Sequence, residues 1–149
     1  MTAKPKRTKY GALPTQGKTV PVSCWPTDED SHNLVSWRVG EVELAGPWPW
    51  GGIDNAKAGQ IHRFLSEMEK LVWGAASQNQ ARIKTIPLER ISAQAVARLR
   101  ETERDDVDDL VELHLSGRER IWGVRRGNVC HLLWWDPRHE VCPSTQKGT

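Results

Sequence analysis

The last third of the chain, residues 110–144, alternates short apolar runs with turn residues at a spacing that a small sheet satisfies and a helix does not. The run VELHL (111–115) leads through Ser116-Gly117 into RERIWGV, and a turn centred on Gly127 leads into VCHLLWW. That run stops at Asp136-Pro137, where Asp bonds the backbone ahead and Pro fixes φ, and the chain continues as RHEVCP. Three or four short strands are expected here, the last at 140–142. Four arginines (Arg118, Arg120, Arg125, Arg126) and three histidines (His114, His131, His139) fall within this segment. Arginine beside histidine on a sheet suits the binding and cleavage of a phosphate backbone, because guanidinium matches phosphate oxygens and imidazole carries protons near neutral pH.

Upstream, the pattern changes period. Residues 34–44 alternate as a first strand with a kink at Gly40, and GPWPWGG (46–52) is a loop because Pro47 and Pro49 forbid a regular ladder. Asp54 or Asn55 can cap a following helix, in which Ile61, Phe64, Leu65, Met68, Leu71 and Val72 form one apolar stripe ending near Gly74. After a polar link, Pro87 precedes a second amphipathic helix with Ile91, Ala95, Val96 and Leu99 inward, which the acidic run 101–109 stops by Thr102. The expected fold is α+β, in the order β-α-α-β-β-β: a two-helix hairpin covering one face of a small, mostly antiparallel twisted sheet. Residues 1–30, rich in Lys, Pro, Thr and Gly, read as a flexible basic arm preceding a single domain over 31–149.

The net charge is only +2, so a nucleic-acid reading rests on where the charge sits. It is segregated into a basic start, an acidic run at 101–112 and a basic hairpin after it. No apolar run is long enough to span a bilayer and no basic-then-apolar leader is visible. Cys24, Cys130 and Cys142 form no CxxC pair and cannot all be bridged, which points to a reducing cytoplasm. Eight tryptophans against one Tyr and one Phe suggest that some rings sit at a groove rim or an interface.

The element order, and the segment GRERIWGVRRGNVCHLLWWDPRHEVCP (117–143) with its Arg-rich hairpin and strand ending in Asp-x-x-His, resembles the RelE/HigB/ParE superfamily of bacterial toxins. The likeness of layout covers about residues 31–143. The resemblance implies a helical hairpin on a twisted sheet, and a toxin neutralised by a cognate antitoxin. In the RNase members, arginines or lysines on the sheet and a histidine or tyrosine near the C-terminus cut messenger RNA on the ribosome. The one tyrosine here is Tyr10, in the N-terminal arm.

Cleavage by the 2′-hydroxyl needs a base, an acid and cations at phosphorus. His139 is the expected acid or base, oriented by Asp136, with Arg120 or Arg125 on the phosphorane; Arg118, Arg126, His131 and Trp122 are the expected RNA contacts. With Arg126-Gly127 as turn residues, Trp122 pairs with His131, and Arg125 points to the face opposite Arg120. His131 between Trp and Leu neighbours also reads as packed core. Cys130, His131, His139 and Cys142 have irregular spacing for zinc, and neighbours on a strand point apart, so neither a metal nor any other cofactor is expected. Trp48 and Trp50 can stack bases or cover the core edge. Two other readings stay open: a non-catalytic binding member of the same fold, and a structural interaction domain with a Trp-bearing interface.

Overall fold

Two glycines set the register of the central sheet. Gly117 and Gly127 have φ of 53° and 66° and each stands first in a two-residue turn. This is the pattern of the type II′ turn, whose twist matches that of the strands it joins. The computed structural model describes residues 31–78 and 82–143. The proposed arm at 1–30 lies outside them.

In chain order the elements are β1 (Ser36–Arg38), α1 (Asn55–Met68), α2 (Trp73–Gln78), β2 (Ile83–Pro87), α3 (Ala93–Glu101), β3 (Asp109–Ser116), β4 (Glu119–Arg126) and β5 (Val129–Asp136). They build an α+β domain around one mixed sheet of order β1-β5-β4-β3-β2. β2 to β5 pair antiparallel, and β1 joins β5 in parallel.

The helices do not share a face, as the sequence pattern suggested. Ile61, Phe64 and Met68 of α1 and Trp73 and Ala76 of α2 pack on Val111, Leu113, Leu115, Ile121, Cys130 and Leu132. Ala95 and Leu99 of α3 pack on the other side, against Leu110, Trp122, Val124, Leu133 and Trp134. The cause lies in the strands. The central strands β3 and β5 are buried on both faces, and VCHLLWWD is apolar on both, so the sheet must be covered twice. The connection is β2, absent from the expected order, which runs up the free edge of β3 and carries the chain from one face to the other. Its burial follows i, i+3 rather than alternation, since Ile83 faces α1 and Ile86 faces α3, and this hid it.

Local chemistry explains the remaining boundaries. Asp54 caps α1 through Lys57 N at 2.8 Å, Ser92 caps α3 through Ala95 N at 3.2 Å, and α3 ends at Thr102. The expected first helix is broken at 69–72, and α2 is a separate turn-and-a-half. The first strand is three residues long, not eleven. No strand forms at 140–142, because the Asp136 carboxylate accepts the N–H groups of Glu140 and Val141 and turns the chain back over the α3 face. The β4–β5 turn is Gly127-Asn128, one residue beyond the expected position, so Arg125 faces Cys130 and Val124 faces His131. A bulge at Trp122/Gly123 then sets Trp122 opposite Trp134 instead of His131. A Cβ on Gly123 would meet His131 O at 2.6 Å, so the bulge requires glycine there.

Most described tryptophans are core. Trp48, Trp73, Trp122, Trp134 and Trp135 are buried, and Trp48 stacks at 5.0 Å on Trp134 while donating to Glu140 Oε1. The Trp48 ring thus covers the core edge. The exposed apolar residues are aliphatic instead: Leu34, Val39 and Leu44.

Candidate active site

On the α3 face, residues that are opposite in register share a row across the strands. One row runs Lys84, Glu112, Trp122, Trp134, and the next runs His114, Arg120, Asp136. α3 covers the far end of this face. The segment after β5 crosses the near end and is tied to the start of α3 by Ser92 N donating to Val141 O at 2.8 Å.

That crossing brings His139 over Glu112. His139 Nε2 lies 3.2 Å from Glu112 Oε2, and Arg120 Nε lies 3.4 Å from the same oxygen. Glu112 is 6% exposed, and an isolated carboxylate at that depth requires such partners. Arg120 Nε makes no hydrogen bond among the described residues, since its contact with Glu112 is an ion pair outside hydrogen-bond geometry. A buried donor left in this state is uncommon and calls for an acceptor. Arg120 Nη1 donates to Gly117 O at 2.8 Å, which anchors the guanidinium at the turn. His114 shares that turn, with Nε2 3.0 Å from Gly117 O. A carbonyl only accepts, so Nε2 of His114 is the donor in that contact.

His139 itself sits at φ 60°, a left-handed conformation that is sparsely populated for residues with a Cβ and concentrates at functional sites. Arg118 Nη2 reaches Arg138 O at 3.3 Å, so the Arg118 guanidinium lies against the segment that carries His139. The site therefore combines two imidazoles, one buried carboxylate and a guanidinium, bordered by the Arg118 cation.

The residues expected from the sequence divide. His139, Arg120 and Arg118 meet here. Asp136 does not orient His139: fully buried, it accepts Trp122 Nε1 at 3.0 Å and the two backbone N–H groups, so its oxygens serve the fold. Trp122 is buried beneath it and is no surface for RNA. Arg125 lies on the opposite face, 7% exposed, its guanidinium 3.9 Å above the Trp73 ring and its Nε donating to Gly127 O. Arg126 and His131 lie at the other end of the hairpin. Six residues of strand, about 20 Å, separate Arg120 from Arg126.

Those two join a separate network. Glu41 pairs with Arg104 at 2.9 Å, His131 Nδ1 at 3.2 Å and Arg126 at 3.6 Å. Burial would raise the Glu41 carboxyl, but the Arg104 hydrogen bond and the charges of Arg104, Arg126 and His131 hold it below its usual value. Burial lowers the His131 imidazole, Glu41 opposes this, and Arg126 and Arg38 reinforce it. Cys130 faces α1 and is pushed up to about 12 by burial, against the charge of Arg125.

His114 was named from the sequence only as one of three histidines, and neither it nor Glu112 was given a role there. The signal for Glu112 was one carboxylate inside the apolar run VELHL, a position that costs free energy unless a partner meets it. No helix among the described residues is long and apolar enough to cross a membrane. Comparison of the chain with protein-family models, curated proteins and solved structures gave no match.

Proposed function

We propose that the chain is a RelE/HigB-like endoribonuclease, the toxin of a toxin–antitoxin pair, which binds and cuts messenger RNA without a metal. The observation that carries this reading is the Glu112–His139–Arg120 contact set, built from a left-handed histidine, a buried carboxylate and a buried, unsatisfied guanidinium N–H. His114 is the base that takes the 2′-hydroxyl proton. The 2′-oxygen bonds to phosphorus, the bond to the 5′-oxygen breaks, and His139 gives that oxygen its proton. The products are a cyclic phosphate and a 5′-hydroxyl. Arg120 faces the charge that grows on the phosphorane, where a preorganised donor is most effective. Glu112 positions the His139 ring.

Inducible expression with growth and messenger RNA integrity followed over time tests this. Wild type should arrest growth and fragment transcripts, whereas His139→Ala should lose about 10²–10⁴ in cleavage rate while keeping its melting temperature. A folded His139→Ala variant that cuts at the wild-type rate would sink the mechanism.

A second reading, a binding protein that does no chemistry, draws support from a groove of about 710 Å³ lined by Val39, Val42, Leu44, Trp50, Ile61 and Leu65. Exposed aliphatic residues in a groove suit a protein partner, and in the toxin reading the antitoxin occupies it. Harmless overproduction of intact wild type, with no RNA cut, would favour this alternative.

A further inference from the structure

The row that holds Glu112 also carries a cation. Lys84 on β2 stands opposite Glu112 in the register and therefore on the same face. Arg90, in the turn that follows β2, lines one groove of about 450 Å³ with Lys84, Thr85 and Ile86. Both cations are exposed, and neither takes part in an ion pair among the described residues. Both also act on the Cys142 thiol. Burial raises that thiol, Glu112 and Asp136 add to the rise, and Arg90 and Lys84 oppose it. On the far side stands Arg118, whose guanidinium donates to the Arg138 carbonyl. The cluster thus lies within a band of positive charge that crosses the strands.

Resting on the function proposed above, we infer that Lys84 and Arg90 form a second phosphate subsite, which holds the backbone of single-stranded RNA next to the scissile phosphate at Arg120 and His139. Strands about 4.8 Å apart put Lys84 on β2 roughly 10 Å from Arg120 on β4. At about 3.4 Å of axis per nucleotide this spans no more than about three nucleotides of stacked strand. Unpaired, solvated cations suit this role, because they release counterions on meeting phosphate and give up no existing ion pair.

The test is binding of a mixed-sequence, 2′-O-methylated RNA octamer, which cannot be cut, by wild type and by the Lys84→Ala/Arg90→Ala double variant. The variant should bind on the order of tenfold more weakly at low salt. Its slope of log affinity against log salt should flatten by about 1.4, two contacts at about 0.7 each for a single strand. A dinucleotide, too short to reach both sites, should bind the two proteins alike, and Lys70→Ala should bind the octamer as wild type does. An octamer affinity and salt slope unchanged by the double substitution would overturn the subsite. So would a variant that differs only in self-association, as expected if Lys84 merely guards an edge strand. Either result leaves the proposed cleavage standing if wild type still fragments transcripts and His139→Ala does not. Wild type that neither binds the octamer nor cuts transcripts overturns both.

Discussion

Trp122 Nε1 donates to Asp136 Oδ2 at 3.0 Å, and that same oxygen accepts the backbone N–H of Val141 at 3.0 Å. One buried carboxylate thereby joins the middle of β4 to the segment that carries His139 over Glu112. Removing it strands an indole and two backbone donors in the interior. Asp136→Ala should cost about 3 kcal/mol or more in chemical denaturation, and Asp136→Asn less. RNA cleavage should fall in both in proportion to loss of fold. A stable Asp136→Ala variant without activity would instead return Asp136 to the chemistry.

Arg120 and Arg125 look equivalent in the sequence and are opposite in the fold. Arg125→Ala removes a guanidinium stacked on Trp73 and should cost about 1–2 kcal/mol of stability, with octamer affinity unchanged once the protein is folded. Arg120→Ala should do the reverse, lowering cleavage far more than melting temperature. Equal effects of the two substitutions on RNA affinity would show that face does not decide their roles.

What was legible in the sequence, and what was not, follows from the range of the interactions. The hairpins, the caps at Asp54 and Ser92 and the stop at Thr102 are local, and residue type at the position sufficed. The side on which α3 packs is not local: it depends on a five-residue edge strand whose two isoleucines face opposite ways. The partner of His139 was missed for a related reason. Asp136 is three residues away in sequence and was the natural choice, but the turn it creates uses up its own oxygens, and the carboxylate that reaches the ring comes from 27 residues upstream. The register error had a smaller origin. Gly127 placed first in its turn rather than second moves every pairing on β5 by two positions, and the bulge adds a third for Trp122.

The Glu41 network predicts how stability responds to acid. Folding lowers the His131 imidazole below its ordinary value of 6.5, so the unfolded chain takes up that proton first as pH falls. The stability linked to His131 is complete above about 6.5 and is lost as pH drops through the folded value. Glu41, held below its ordinary carboxyl range, adds a second loss at lower pH, as its folded value is crossed. Melting temperature should therefore decline in two stages below neutrality, and His131→Gln should flatten the upper one. An upper stage unchanged in His131→Gln would assign it to another group.

In the proposed mechanism the carboxylate of Glu112 acts only through the ring it holds, and that separates it from a residue with a purely structural task. Glu112→Gln keeps the shape and a hydrogen-bond acceptor for His139 while removing the charge between His139 and Arg120. Cleavage should drop about 10- to 100-fold, the usual cost of disturbing a group that orients a reacting one. Octamer affinity should stay the same or tighten, since a negative charge beside the phosphate site is gone. A purely structural Glu112 would lower melting temperature and leave the ratio of cleavage to folded protein as it is in wild type.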